Sequence, residues 1–187
     1  MTRTDSRPAF EPVEYHLDAD DRFVWVNDAW RFFADANDAP LETREPLRRP
    51  IWDFVTNPET RHLYMAMFGK VRQWGQPIAV EFRCDAPTWR RAMTLTMSRR
   101  GPSGLVLHVE ALTLDPREPV ALLDARAARD TRMLTMCSWC KKVALEQHRW
   151  VEVEVAVNEL ALFRAPALPG LTHGLCPPCR MRVEAIA

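Results

Sequence analysis

Residues 56–75 read TNPETRHLYMAMFGKVRQWG, and their reading decides how the first two thirds of the chain fold. Asn57 is placed as an N-cap, and Pro58 suits the first helical position, where a missing N–H costs nothing. Leu63, Met67, Val71 and Trp74 recur at helical spacing, and Gly75 ends the run. The stretch predicts one long helix with a single apolar stripe. Such a stripe must be buried, so the flanking sequence has to supply a surface.

Downstream, PIAVEFRCD (77–85) alternates Ile78, Val80, Phe82 and Cys84 against Ala79, Glu81, Arg83 and Asp85. RRAMTLTMSRR (90–100) alternates Met93, Leu95 and Met97 against threonines and serine. GPSG (101–104) is a turn, and LVLHVEALTL (105–114) puts Leu105, Leu107 and Val109 on one face. Upstream, EYHLDADDRFVWVN (14–27) reads as a hairpin with an Asp-rich turn, Phe23 and Trp25 alternating with Val24 and Val26. Asn27 or Asp28 can cap a helix over DAWRFFADAND (28–38), with Trp30, Phe33 and Ala34 on one side. DAPLETREPLRRP (38–50) is mostly loop, and IWDFV (51–55) is one helical turn. One-sided strands with helices grouped between them predict an α+β class: an antiparallel sheet covered on one face.

Lys+Arg and Asp+Glu both number 25 among 187 residues, and 47% of the residues are hydrophobic, a globular composition. Zero net charge gives no electrostatic reason to expect nucleic acid or an anionic membrane as partner of the whole chain. No signal-peptide core and no run of about 18 apolar residues occurs, so a cytoplasmic protein without a membrane anchor is expected. Paired cysteines in a reducing compartment lean toward metal or catalysis rather than disulfides.

Over residues 13–114 the order of strands and helices resembles the PAS domain, a ligand-sensing module of bacterial signalling proteins. FVWVNDAW (23–30) is similar to the family's second strand and its exit. IWDFVTNPET (51–60) is similar to the turn before its long helix, and GQPIAVEFRC (75–84) with RRAMTLTM (90–97) to its next two strands. The resemblance implies a five-stranded antiparallel sheet with helices on one face and a cavity between them that receives the signal. Trp25, Trp30, Trp52, Phe54, Phe82 and Trp89 could line that cavity, or could simply fill the core. The cysteine motif of the flavin-photoactive branch is absent. Haem-binding members use a histidine on the long helix, where His62 is the candidate, although it sits beside Arg61 and is expected to face solvent. The ligand is not named by the resemblance, and the cavity need hold none.

Residues 133–143, MLTMCSWCKKV, and 171–183, LTHGLCPPCRMRV, hold four of the five cysteines in two C-x-x-C pairs. Each pair can turn both sulfurs toward one point, and two pairs complete a four-thiolate zinc site from Cys137, Cys140, Cys176 and Cys179. His173 could replace a thiolate or sit beside the site, and Lys141 and Lys142 would offset its negative charge. A redox couple at CPPC is the competing chemistry, but eight residues after Cys179 leave no room for the fold it needs. RWVEVEVAVNELALF (149–163) between the pairs reads as a helix with Trp150, Val153, Val157 and Leu160 on one face, although its start also alternates like a strand. MCSWCKKV, RWVEVE and LTHGLCPPC together are similar to a short zinc-ribbon-like cysteine module found behind bacterial sensory domains, which implies a domain identity and no activity.

The expected organisation is an N-terminal extension (1–12), a PAS-like domain (13–114), a connector (115–130) and a four-cysteine domain (131–187). No Gly-rich phosphate loop, H-E-x-x-H or G-x-S-x-G occurs, and a closed zinc shell leaves no position for a substrate, so no enzyme is expected. The expected function is a stand-alone sensory or adaptor protein with structural zinc. Its output would pass through a protein partner, and a homodimer is what the resemblance implies. The alternatives are a zinc-ribbon nucleic-acid-binding regulator, with Arg180 and Arg182 on phosphates, and a thiol–disulfide redox protein.

Overall fold

Asn57 opens the long helix as its sequence predicts: its Oδ1 accepts the Thr60 N–H at 2.9 Å and the Thr60 hydroxyl at 3.0 Å. Gly75 closes the helix at φ 70°, a left-handed conformation that glycine adopts without strain, and its N–H donates to the Val71 carbonyl. In this computed structural model, which describes residues 11–36, 41–146 and 149–186, that helix is α3 (Pro58–Trp74). The extension expected over residues 1–12 lies, apart from Glu11 and Pro12, outside the described residues. Leu63, Met67, Phe68 and Val71 form the buried stripe. Trp74 stays exposed in the last turn, with the Lys70 ammonium over its ring.

The stripe packs on a five-stranded antiparallel sheet. Its strands are β1 (Val13–Leu17), β2 (Phe23–Val26), β3 (Ile78–Arg83), β4 (Trp89–Arg100) and β5 (Gly104–Pro116), in the order β2-β1-β5-β4-β3. Register aligns the inward rows: Val13 faces Val109, Tyr15 faces Leu107 and Leu17 faces Leu105 across β1 and β5. Leu95 and Met97 on β4 continue them opposite Val109 and Leu107. Helices α1 (Asp28–Ala36), α2 (Leu41–Arg44) and α3 complete the fold's first part. Asn27 caps α1 by accepting the Trp30 N–H at 3.0 Å. The other face carries Glu14, whose carboxylate takes hydrogen bonds from both His16 and His108. His16 holds that carboxyl below its usual range, against the opposing effect of burial, and His108 adds to the effect.

One expectation fails in the hairpin. The pairing of β1 with β2 slips between His16 and Leu17, so His16 faces Trp25 while Leu17 faces Phe23, and Val24 is an extra residue. The bulge breaks strict alternation: Phe23 and Val26 turn inward, and Trp25 turns out, 43% exposed and stacked on His16 at 4.5 Å.

Gly104 begins β5 where the sheet is tightest. A Cβ there would lie 2.9 Å from the Arg100 carbonyl oxygen and 3.0 Å from that of Leu17, both backbone atoms. Gly104→Ala is therefore expected to destabilise the protein by roughly 1–3 kcal/mol, the usual effect of overpacking, as a lowered urea midpoint.

A second sheet follows the connector, which contains one 3-10 turn (Ala121–Leu123). Strands β6 (Arg129–Cys137), β7 (Val143–Ala144), β8 (Trp150–Val151) and β9 (Leu168–Gly174) lie in the order β8-β7-β6-β9. The ambiguous stretch before Leu160 resolves into both readings, strand for Trp150–Val151 and helix α4 for Val153–Glu159. β6 and β9 are parallel, so the chain between them must cross over, and α4 lies in that crossover. Helix α5 (Pro177–Glu184) closes the described chain. No helix among the described residues is long and apolar enough to cross a membrane.

The two sheets are joined by a buried ionic cluster. Asp85, with a side chain 0% exposed, takes hydrogen bonds from Arg83 and Arg117. Arg83 also reaches Glu152 at 2.5 Å, and Arg117 reaches Glu154 at 3.1 Å. Burial disfavours the Arg83 charge, but the carboxylates of Asp85 and Glu152 outweigh it and raise its pKa above the ordinary value.

Candidate metal centre

The parallel register brings the four cysteines together. Cys137 ends β6 opposite Gly174, the last residue of β9, so the two C-x-x-C turns leave the sheet side by side. In the first turn the Cys137 N–H donates to the Lys142 carbonyl at 2.7 Å and the Lys141 N–H to the Cys137 carbonyl at 3.1 Å. Lys141 takes a left-handed φ of 61°, and its ammonium caps the Ser138 carbonyl at 3.0 Å. In the second, Cys176 precedes α5, prolines occupy the first helical positions, and the Arg180 N–H returns to the Cys176 carbonyl.

The four sulfurs lie within 4.8 Å of one another, so they could hold a metal ion. Cys140 and Cys176 Sγ are 3.7 Å apart. That is far beyond a disulfide's ~2.05 Å. It matches the edge of about 3.8 Å that a tetrahedron of sulfurs has around zinc at ~2.3 Å. The Cys140 thiol, with the backbone amides of Cys176, Cys140 and Trp139, donates to the Cys137 sulfur and holds its pKa well below the thiol range. The thiol of Cys140 is pushed up by that same hydrogen bond and by burial, and that of Cys179 chiefly by burial. A donor set of four sulfurs within 4.8 Å of one another fits a divalent thiophilic ion. His173 does not join it: its side chain is exposed, while its carbonyl accepts from Asn57 Nδ2 at 2.8 Å.

The cluster packs into the core of the first sheet. Cys137, Trp139, Cys176, Cys179 and Val183 are buried together with the inward residues of β1, β4, β5 and α3. Trp139, between the first two cysteines, is 3% exposed and lies edge-on to Tyr64 of α3 at 6.0 Å. Its carbonyl accepts the Arg83 N–H at 2.7 Å. Its indole N–H is buried without an acceptor, a cost of about 1–3 kcal/mol that its packing must offset.

Beside it, between α1, α3 and the sheet, lies an apolar cavity of about 290 Å³. Trp30, Phe33 and Ala34 of α1 form one wall, Tyr64 of α3 another, and Phe82 with Cys84 a third; Tyr15, Met93 and Leu95 floor it. This volume is at the small end of ligand sites, roughly 300–1,000 Å³. Burial pushes the Tyr64 phenol up to about 12, and burial with the neighbouring Tyr64 raises Tyr15 well above its ordinary value.

Of the aromatic residues expected at a cavity, Trp30 and Phe82 line it. Trp25 does not, because the bulge turns it to the opposite face. Trp52 packs on Phe68 at 5.7 Å beneath Arg61, and Phe54 packs edge-on to Phe23 beneath Arg49, so both lie at the rim of the core. His62 is exposed in a groove with Glu59 and Arg180, away from the cavity. Sequence reasoning missed Tyr15, Tyr64, Cys84 and Trp139. For Tyr15 and Cys84 the strand alternation carried the signal; Trp139 was marked only by standing between two cysteines.

The fold and site together define an α+β protein: a five-stranded antiparallel sheet with helices on one face and a four-cysteine cluster near the C-terminus. Similar solved structures include the PAS domain of BvgS from Bordetella pertussis, 17% identical, covering 54% of this chain and 76% of that one at a TM-score of 0.41. The photoactive yellow protein domain of the sensor histidine kinase Ppr from Rhodospirillum centenum is 14% identical over 57% of this chain and 88% of that one, TM-score 0.38. A domain of an HTR-like protein from Haloarcula marismortui is 15% identical over 55% and 98%, TM-score 0.34. No protein-family model matches the chain, and no curated protein matches it.

Proposed function

We propose that this is a bacterial signal-sensing or adaptor protein of the cytoplasm, whose PAS-like part (13–114) takes a small apolar molecule into its cavity. In this reading Cys137, Cys140, Cys176 and Cys179 hold one structural zinc within a zinc-ribbon-like unit (131–187). Output passes by contact with a protein partner, a second copy included, and no catalysis is assigned. The observation that carries the reading is the apolar cavity, floored by Tyr15 and walled by Trp30, Phe82 and Tyr64. Its lining suits recognition of a flat apolar molecule and offers no acid–base pair for chemistry. Four sulfurs around zinc leave no open coordination position, which supports a structural metal.

The basic residues offered for nucleic acid are occupied. Arg180 pairs with Glu59, and Arg182 donates to the Glu81 carbonyl at 3.1 Å. That favours protein contact over phosphate binding.

Native mass spectrometry of freshly purified, reduced protein, set against its denatured mass, tests the reading. The expected result is an excess of one zinc plus one small organic molecule. An excess of zinc alone removes the ligand and leaves an interaction module. An iron excess changes the metal, and no metal with free or paired thiols overturns the centre.

A further inference from the structure

We propose that metal on the four cysteines tightens the walls of the apolar cavity through Trp139, so that the centre and the cavity form one linked system. The inference rests on the reading of the cysteines as a metal centre and extends it. Trp139 is fixed by the turn between Cys137 and Cys140, and it touches two walls at once. Its ring packs edge-on to Tyr64, the α3 wall. Its carbonyl takes the N–H of Arg83, the residue between the wall residues Phe82 and Cys84.

The second cysteine pair reinforces this grip from outside. From α5, Arg182 donates to the Glu81 carbonyl of β3 and Arg180 pairs with Glu59 of α3. Lys70 of α3 donates in return to the Ile186 carbonyl at 3.1 Å. Both turns that bear the sulfurs therefore hold the same two elements, α3 and β3, that face each other across the cavity.

Two states follow from the first turn. With an ion on the sulfurs, the left-handed Lys141 and the buried, unpartnered indole N–H of Trp139 are held in place. Without it, only the Lys141 contacts to the Ser138 and Cys137 carbonyls and the packing of Trp139 oppose these two costs, and the turn can withdraw the ring from Tyr64. The expected connector, residues 115–130, reaches α4 through Arg117 and Glu154, and its residues do not line the cavity. Linkage is reciprocal, so a molecule filling the cavity strengthens the hold on the metal by the same factor.

Hydrogen–deuterium exchange of the full chain tests this, with zinc content measured on every sample. Stripping zinc is expected to speed exchange in residues 60–68 and 78–84 about fivefold or more, the lower range of allosteric coupling, while residues 13–17 and 105–109 change little. Trp139→Leu, still carrying one zinc, is expected to exchange at those walls like the stripped protein, and Trp139→Phe to restore much of the protection. Unchanged walls on stripping overturn the proposal, as does a uniform rise along the whole chain, which makes the metal a general staple. Full protection in zinc-loaded Trp139→Leu also overturns it. A wild-type protein that takes up no zinc overturns the metal reading itself, and the linkage with it.

Discussion

Cys137→Ser is expected to reduce bound zinc from one per chain to nearly none and to lower the melting temperature by roughly 10–20 °C. Cys137 is the residue on which the centre converges: it is fully buried, its sulfur accepts the Cys176 N–H at 3.5 Å, and its pKa is the one held low. A serine hydroxyl stays protonated at neutral pH and ligates zinc weakly. Structural zinc contributes on the order of 10–16 kcal/mol in small fingers. Losing even a third of that, about 4–5 kcal/mol, corresponds to the stated shift at about 2–4 °C per kcal/mol for a chain of this size. Cys84→Ser is the control for zinc content alone, because Cys84 is not among the clustered sulfurs but lines the cavity. Metal analysis with a calorimetric melt decides the matter; full zinc and an unchanged melt in Cys137→Ser would remove the centre.

Asp85→Ala is the second large change, with an expected loss of about 3–5 kcal/mol read from urea unfolding. The Asp85 carboxylate is entirely buried between Arg83 and Arg117, whose side chains are 16% and 9% exposed. Deleting it leaves two guanidinium groups facing each other, each with one half-buried carboxylate, Glu152 or Glu154, as its remaining partner, in a region that water reaches poorly. The loss comes mainly from the repulsion left between the two cations once their shared carboxylate is gone, so Arg117→Met added to Asp85→Ala is expected to recover part of it. If the single variant unfolds at the wild-type urea concentration, the joint does not hold the two sheets. Glu154 gives the same joint a pH signature. Burial raises its pKa, but hydrogen bonds from its own amide and from Arg117, with the charge of Arg90, outweigh that and leave it lowered. A carboxyl with a lowered folded pKa stabilises above its unfolded value near 4.5, and that contribution fades as pH falls through the lowered one.

The first sheet was legible because each of its devices is local. Asn57–Pro58 and Gly75 bracket α3, and period-two alternation marks β3, β4 and β5 without help from distant residues. Trp25 was misread for a reason that alternation cannot encode: one extra residue, Val24, flips every side chain beyond it in the pair. Four cysteines at C-x-x-C spacing announced their cluster. The parallel pairing of β6 with β9 did not announce itself, since the pairing partners are far apart and β7 and β8 are two residues each. Trp150 fell in a strand rather than on the expected helix face because the helix starts only after Glu152, its N-cap. The cavity floor at Tyr15 was readable as inward; that Tyr64 would meet Trp139 depended on the packing of one sheet unit against the other.

The shared core also sets an order of events during synthesis and folding. Cys137, Trp139 and Cys176 are buried against α3 and the first sheet, all made of earlier chain, and Cys176 and Cys179 leave the ribosome after both. The first sheet also closes a long loop, β1 pairing with β5, but both its strands and α3 precede the tail and can assemble while the tail is still being made. The parallel β6·β9 ladder must wait for its far strand and bears the closure entropy of the intervening chain. On the proposed metal reading, ion capture waits for Cys176 and Cys179 and falls on a surface already shaped to receive Trp139. On that same reading, a cell short of zinc would accumulate chains with a finished sheet, an open tail and an uncovered apolar seam, the kind of species that chaperones and proteases recognise.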